Sequence, residues 1–173
     1  MIKDSKSAES LAKILSEALP YIQKFSGKIV VIKYGGSAMK ENKLRQNFAR
    51  DIALMRQIGI FPVLVHGGGP QIERNLKKSN IKSVFIDGLR KTDENSIKTI
   101  VKTLREVNGD IAELIKTWGA RTKTFNDVRE SILICKKIKT KIDLGFVGDI
   151  TKVDSGLIKK NIFSGKIPVI API

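Results

Sequence analysis

Two short hydrophobic segments, each ending in a run of glycines, constrain the fold of this chain most. Residues 28–34 (KIVVIKY) are rich in β-branched side chains and are followed by Gly35-Gly36. Residues 61–65 repeat the pattern before His66-Gly67-Gly68-Gly69, and Pro70 stands where a helix can begin without losing a hydrogen bond. Each segment therefore predicts a buried strand, a loop and then a helix, as in a parallel α/β sheet.

The rest of the sequence continues to alternate between strand and helix patterns. The predicted elements are a helix that ends at Gly59, a strand at 82–86, a helix capped by Thr92 or Asp93, a further helix before Gly119, a β-hairpin or meander at 131–150, a helix at 155–163 and a strand at 167–170. The predicted fold class is α/β, with a mainly parallel sheet sandwiched by helices, a β-hairpin insertion and an additional N-terminal helix.

The N-terminal segment predicts an amphipathic helix ahead of the first strand. Its apolar residues fall at helical spacing, and Pro20 is expected to kink or split it. The apolar stripe needs a surface to cover it, which is either the chain's own domain or a neighbouring subunit. We assign residues 1–27 to an oligomerisation helix and residues 28–173 to a separate domain. The stripe consists of Leu11, Ile14, Leu15, Ala18, Ile22 and Phe25.

Composition narrows the range of partners. The formal net charge of +15 attracts anions, but the lysines are scattered. The densest cluster, residues 136–141, contains no aromatic side chain on which a base could stack, so we expect small anionic substrates rather than nucleic acid. No run approaches the ~18 apolar residues that span a bilayer. A single cysteine, Cys135, cannot form a disulfide framework, and we expect a cytoplasmic protein.

The glycine-rich loops are the first candidates for chemistry. Glycine lets a ligand approach the backbone closely, and the exposed N–H groups at a helix start favour an anion. Two such loops at neighbouring strand ends could hold one polyanionic species between them. Neither loop matches the P-loop or the G-x-G-x-x-G dinucleotide motif.

Three charged or polar side chains complete the candidate set. Lys33, at the end of the first strand, could neutralise a phosphoryl group during transfer. Arg90, between a strand and a helix, offers a planar fork that suits a carboxylate. His66 is expected to order its glycine loop, because the chain has no other histidine and no metal-ligand set around it.

Together these motifs resemble the acetylglutamate kinases of the amino-acid kinase family. The resemblance covers roughly residues 8–173, and the HGGGPQI and GLRKTD pair makes it more specific than the lysine and two glycines shared with aspartokinases, uridylate kinases and carbamate kinases. The matching segments are VVIKYGGSAM (30–39), FARDIALMRQIGIFPVLVHGGGPQI (48–72), GLRKTD (88–93), LGFVGDI (144–150) and IPVIAPI (167–173).

The resemblance implies ATP-dependent phosphorylation of the γ-carboxylate of N-acetyl-L-glutamate, a step of arginine biosynthesis, with Mg²⁺ accompanying ATP. It implies that Lys33 stabilises the transition state and that Arg90 holds the α-carboxylate. It also implies a homo-oligomer, either a dimer or a hexamer whose N-terminal helices interlace, and arginine as a feedback inhibitor. The implied phosphate-binding glycines are Gly35, Gly36 and Gly67, and Gly68 and Gly69 are implied to contact the substrate as well.

Two departures from the family pattern affect what we expect. Beyond residues 167–173 the family continues with an Asn-x-Asn-Ala-Asp segment and an ATP-binding lobe, so we expect this chain to be an N-terminal part that binds substrate weakly and transfers no phosphate alone. Residues 124–131 lack the family's glycine-rich run, which predicts a different loop conformation. The alternatives are a non-catalytic binding or assembly module and a kinase for a related acyl amino acid.

Overall fold

A computed structural model describes residues 5–39, 41–127, 130 and 132–173. Five α-helices and eight strands follow one another within the described residues, with one short 3₁₀ helix after the first strand. The elements are α1 (Ser5–Phe25), β1 (Ile29–Tyr34), the 3₁₀ helix (Gly36–Met39), α2 (Asn42–Gln57), β2 (Phe61–His66), α3 (Gly69–Lys78), β3 (Val84–Ile86), β4 (Leu89–Lys91), α4 (Glu94–Lys116), β5 (Arg121–Phe125), β6 (Leu133–Lys137), β7 (Gly148–Val153), α5 (Ser155–Phe163) and β8 (Lys166–Ile170).

The central sheet has four parallel strands in the order β1-β2-β8-β5. β1 and β2 pair along their whole length, from Ile29 opposite Phe61 to Tyr34 opposite His66. The two glycine-rich loops therefore leave the sheet from adjacent strands at the same edge. Since ligands of open α/β sheets bind at the carboxyl ends of the strands, this edge is where a site is expected.

Helices cover both faces of the sheet, which confirms the predicted α/β sandwich. On one face, α2 and α4 bury apolar side chains such as Ile52 and Ile115 against Leu64 and Val169. On the other face, α5 packs Ile162 against Val63 and its neighbours. This packing follows the strand pattern, because successive side chains of a strand point to opposite faces.

Two antiparallel ribbons stand apart from the sheet. The predicted strand at 82–86 is observed as β3, but it pairs with β4 and not with the central sheet. The predicted hairpin at 131–150 is observed as β6 and β7, which pair from Leu133 opposite Val153 to Lys137 opposite Gly148.

The observed elements differ from the expected ones in three places, and at Pro20, where a kink or a split was expected, only the split is excluded. The two helices predicted between residues 92 and 119 are one helix, α4, because its buried face continues without a break through Gly109. The strand β5 was not predicted, because its sequence RTKTF contains a single apolar residue. The helix α1 does not split at Pro20.

Most of the apolar stripe of α1 is exposed in this chain. Leu11, Ile14 and Leu15 are between 42% and 63% exposed. These side chains are in contact with water. Burying them would lower the free energy by ~25 cal/mol for each Å² of apolar surface removed from water. Within the described residues, no helix combines the length and the hydropathy needed to cross a membrane.

The start of α4 is held by two attachments. The carboxylate of Asp93 accepts a hydrogen bond from the Ser96 N–H at 2.8 Å, which confirms Asp93 as the helix cap. The backbone of Thr92 bonds to the segment before β7, donating to the Leu144 carbonyl at 2.8 Å and accepting from the Phe146 N–H at 2.7 Å. Between those partners Gly145 adopts a φ of +74°, and a Cβ there would lie 2.1 Å from the Thr92 oxygen.

We predict that Gly145→Ala lowers the free energy of unfolding by at least about 2 kcal/mol, because alanine disfavours this backbone and collides with Thr92. Gly109→Ala is the matched control. Gly109 lies inside α4 with open space around it, and alanine there should stabilise the chain by about 0.5–1 kcal/mol. Urea unfolding followed by the fluorescence of Trp118 measures both. Equal free energies of unfolding for the two variants would contradict the role of Gly145 in joining Thr92 to the segment before β7.

Candidate active site

The two glycine-rich loops touch each other at the carboxyl edge of the sheet. The Gly67 N–H donates to the Tyr34 carbonyl at 2.8 Å, which extends the β1–β2 ladder into the loops. A Cβ on Gly35 would lie 3.8 Å from the Gly67 nitrogen. The structure therefore brings together the two loops that the sequence pattern singled out.

This contact occupies one of the loop donors. The Gly67 N–H has its acceptor in the Tyr34 carbonyl and joins the two loops, while the implied role of Gly67 in binding phosphate stays a prediction. The N–H groups of the other four loop glycines have no acceptor among the described residues, and they are the donors left for an anion. These are Gly35, Gly36, Gly68 and Gly69.

Gly68 connects the loops to a cavity. A Cβ on Gly68 would lie 2.8 Å from the Cδ2 of Leu104, a residue of α4. Leu104 in turn lines a cavity of about 610 Å³ between α4 and the β6–β7 hairpin. Any larger residue at position 68 would push into this contact, so glycine keeps the loop close to the cavity wall.

The cavity is largely apolar and has one charged side chain in its wall. Arg90, on β4, lines it together with side chains from α4 and the hairpin. This composition suits a small molecule with a hydrocarbon part and one anionic group. The apolar lining includes Ile97, Ile100, Leu104, Phe146, Ile150 and Ile173.

Arg90 is held in position by three groups. Its guanidinium pairs with the Glu73 carboxylate of α3 at 2.6 Å, donates to the Ser83 hydroxyl and lies over the Phe85 ring, 4.5 Å from the centroid. The hydrogen bond from Arg90 lowers the pKa of Glu73 below its ordinary value. Glu73 thus stays ionised at neutral pH and occupies the guanidinium that a substrate carboxylate would need. The sequence pattern gave no sign of this ion pair.

Lys33 lies near the end of β1, two residues before the first glycine loop. Its side chain is exposed, and among the described residues no carboxylate lies within salt-bridge distance of it. Lys33 thus adds a positive charge to the strand that leads into the first glycine loop.

His66 is buried at the end of β2 and is bonded through both ring nitrogens. Nδ1 lies 2.8 Å from the Gly67 carbonyl and Nε2 lies 3.0 Å from the Asn108 amide nitrogen. That nitrogen also donates to the Val169 carbonyl at 3.0 Å, which fixes the orientation of the amide. Nδ1 faces a carbonyl oxygen, which accepts, so Nδ1 must carry the proton; Nε2 faces an amide N–H, which donates, so Nε2 must be unprotonated. His66 is therefore neutral. This supports the expectation that His66 orders its loop.

Asn108 was not anticipated. It is fully buried in the middle of α4, and it links the glycine loop to the end of β8. The available signal was a polar residue on an otherwise apolar helix face, next to Val107 and Ile111. A buried amide requires hydrogen-bond partners, so its position predicts a polar group opposite it.

No group of three or more His, Cys, Asp and Glu side chains is arranged to hold a metal in the part of the chain that the structure describes. The departure at 124–131 lies partly outside the described residues. Thr124 and Phe125 belong to β5, and the Asn126 carbonyl accepts a hydrogen bond from Arg105 at 2.9 Å.

We predict that stability falls as the pH drops below about 6.5, the ordinary histidine pKa. Burial lowers the pKa of His66, so below that pH the unfolded state binds the proton more readily than the folded state. The loss should reach up to about 1.4 kcal/mol per pH unit and should be absent from His66→Gln.

Urea unfolding at pH 7.5 and pH 5.5 measures this loss. Because His66 is the only histidine, its ring ¹⁵N signals also report the tautomer without ambiguity. Protonation of Nε2 at neutral pH, or the same pH dependence in His66→Gln, would contradict the assignment.

Comparison with known proteins agrees with the fold. The profile of the amino acid kinase family matches residues 28–173. The chain is 45% identical to the acetylglutamate kinase of Clostridium beijerinckii over 163 residues, which is 94% of this chain and 57% of that protein. It is 42% identical to the acetylglutamate kinase of Neisseria meningitidis serogroup C over 174 residues, covering 96% of this chain and 58% of that protein.

A solved structure shows the same fold. The N-acetylglutamate synthase of Neisseria gonorrhoeae, crystallised with coenzyme A and N-acetyl-glutamate, matches 91% of this chain and 36% of its own length. The TM-score is 0.78 at 24% sequence identity. The chain spans less than three fifths of the two acetylglutamate kinases named above. With the family profile matching residues 28–173, the chain belongs to the amino acid kinase family.

Proposed function

We propose that this chain is the substrate-binding part of an enzyme that phosphorylates the γ-carboxylate of N-acetyl-L-glutamate with ATP, in arginine biosynthesis. The observation that carries the proposal is the continuity of the site. Free N–H groups of the glycine loops lie beside Gly68, Gly68 contacts Leu104, and Leu104 lines the cavity that contains Arg90. Similarity to proteins named acetylglutamate kinase supports the choice of substrate.

The proposed substrate has two carboxylates separated by a short hydrocarbon chain, and the site has two anion-binding regions separated by an apolar wall. Arg90 would hold the α-carboxylate through its planar fork. The hydrocarbon chain would lie against Leu104. The γ-carboxylate would then point toward the glycine loops. This arrangement uses every part of the site in one binding mode.

The proposed reaction is a direct transfer. One oxygen of the γ-carboxylate attacks the γ-phosphorus of ATP, the bond from that phosphorus to the bridging oxygen of ADP breaks, and an acyl phosphate forms. Charge spreads over the oxygens of the transferred group, and catalysis consists of positioning and neutralising it. Lys33 and the free N–H groups of Gly35, Gly36 and Gly68 would supply the positive potential. We propose no covalent enzyme intermediate.

Mg²⁺ would enter with ATP. The described residues contain no carboxylate cluster to hold the ion, and Mg²⁺ is commonly held by substrate phosphates with only one or two carboxylates. The ion would neutralise charge on the phosphates, while the residues named above orient the acceptor carboxylate.

We also propose that α1 assembles the subunits of a cytoplasmic homo-oligomer. The exposed apolar stripe through Ile14 and Leu15 supports this role, because burying it between subunits would remove it from water. Arginine as a feedback inhibitor remains a proposal of the family resemblance. Sedimentation of the chain with and without residues 5–25 measures the number of subunits in the assembly. The same number of subunits in both proteins would contradict the role of α1.

We predict opposite effects at the two members of the Arg90 ion pair. Arg90→Gln should weaken binding of N-acetyl-L-glutamate at least tenfold, because the charged fork is lost. Glu73→Gln should strengthen binding several-fold, because a competing carboxylate is removed while the hydrogen-bond shape is kept. Titration calorimetry measures the affinity of both variants for N-acetyl-L-glutamate. The control for Arg90→Gln is Arg50→Gln on the outer face of α2, which also removes one positive charge.

The ligand series separates the possible substrates. N-acetyl-L-glutamate should bind more tightly than N-acetyl-L-aspartate and than the N-acetyl derivative of aminoadipate, whose side chains are one methylene shorter and longer. Unchanged binding in Arg90→Gln would remove Arg90 from the site. Tightest binding of the aminoadipate derivative would instead assign the site to a related acyl amino acid.

A further inference from the structure

A second cluster of cationic side chains lies at the amino edge of the sheet, opposite the glycine loops. Arg56 is in the last turn of α2, Arg121 begins β5, and Gly165 precedes β8. These residues line a cleft of about 310 Å³ together with Gln57 and Gly119. At about 30 Å³ per water molecule, the cleft has room for roughly ten waters, so a small ion fits.

The two guanidinium groups converge on the same space. A Cβ placed on Gly165 would lie 2.3 Å from the Nη2 of Arg121 and 3.7 Å from the Nη2 of Arg56. The two nitrogen atoms are therefore no more than about 6 Å apart. Gly165 has a φ of +82°, and its missing side chain leaves room for the Arg121 guanidinium to lie against the backbone.

Neutral groups hold both arginines in place. The Arg56 guanidinium lies over the Phe61 ring, 5.0 Å from its centroid. The Arg121 Nη2 donates to the Ser164 carbonyl at 2.9 Å. Among the described residues, no carboxylate lies within salt-bridge distance of either arginine, and no acidic residue lines the cleft. Two positive charges thus face one small space without a counter-charge.

We propose that this cleft binds a phosphate group, free or carried by a small molecule, at a site separate from the glycine loops. Guanidinium groups bind phosphate through paired N–H donors, and a phosphate near neutral pH carries close to the two negative charges that match two arginines. The Ser164 carbonyl occupies one donor of Arg121 and leaves the others free. A monocarboxylate would neutralise only half of the charge, which favours phosphate over acetate as the ligand.

The cleft lies at the same edge of the sheet as the connection between α1 and β1. Arg56 ends α2 and Arg121 begins β5, at the edge of the sheet where α1 also joins β1 through Ser26 and Gly27. A Cβ on Gly59 would lie 2.7 Å from the Ser26 hydroxyl oxygen, so the end of α2 is packed against this connection. Phosphate bound between the arginines would therefore lie near the carboxyl end of α1, and not at the carboxylate that reacts in the proposed transfer.

The test is an NMR titration of the ¹⁵N-labelled chain with inorganic phosphate in 150 mM NaCl, where a Debye length of about 8 Å screens diffuse attraction to the net charge. The amide of Gly165 reports the cleft, and the glycine-loop amides report the proposed phosphoryl site separately. We expect saturable shifts of Gly165 and of the Arg56 and Arg121 Nε–H signals. Acetate at the same concentration should not produce them.

The variant Arg56→Gln/Arg121→Gln should weaken the Gly165 response at least tenfold. The matched control is Arg50→Gln/Arg105→Gln, which removes the same charge from exposed arginines that face carboxylates, and it should keep the response within twofold. An equal loss in the control would assign the effect to net charge. A silent Gly165 in the unaltered chain, or a full response in the first variant, would overturn the proposal.

Binding of N-acetyl-L-glutamate separates this proposal from the catalytic one. The Arg56→Gln/Arg121→Gln variant should bind that substrate with unchanged affinity, which also shows that it is folded. Loss of the phosphate response with intact substrate binding supports the cleft even if the proposed reaction is wrong.

Discussion

The site depends on the parallel pairing of β1 and β2 and on the hydrogen bond that continues it. The Gly67 N–H bonds to the Tyr34 carbonyl one step beyond the last paired residues, so the two glycine loops leave the sheet in contact. Without this bond each loop would be an isolated turn. With it, Gly35 and Gly67 become neighbours at one edge.

A buried polar chain keeps this edge in a single arrangement. Asn108 bonds both to His66 and to the Val169 carbonyl, so α4, β2 and β8 share one hydrogen-bond network. Unpaired buried polar groups cost stability, so the bonds that the Asn108 amide nitrogen makes favour one packing over others. The Asn108 Oδ1 is buried without a hydrogen-bond partner among the described residues. Through His66, which bonds to the Gly67 carbonyl, this network reaches the second glycine loop.

Cationic side chains stand at both edges of the central sheet. At the carboxyl edge, Lys33 is the second-last residue of β1, and Arg90 lines the cavity and is paired with Glu73. At the amino edge, Arg56 and Arg121 share a cleft without a counter-charge. The scattered lysines of the β6–β7 hairpin, in contrast, are solvated and have no common focus.

The sequence predicted what depends on local pattern and missed what depends on tertiary contact. The strands before the glycine loops, the helix cap at Asp93 and the helix at 155–163 follow from periodicity and capping chemistry, and all are observed. β5 was missed because its burial comes from its neighbour β8, not from its own mostly polar residues.

Polar contacts between residues far apart in the sequence could not be predicted either. The Arg90–Glu73 pair joins residues on separate elements, and neither residue type indicates the other. The split predicted in α4 failed for a related reason. Gly109 weakens a helix locally, but the buried residues on both sides of it, Val107 and Ile111, hold one continuous helix against the sheet.

The central claim is that one substrate spans the glycine loops and the Arg90 cavity. Selective ¹⁵N-glycine labelling tests it most directly, because the chain has only 14 glycines and they lie at both edges of the sheet. Titration with N-acetyl-L-glutamate should shift the amides of Gly35, Gly36, Gly68 and Gly69 and leave Gly119 and Gly165 unchanged. Shifts confined to the amino edge, or no shifts at all at saturating substrate, would contradict the account.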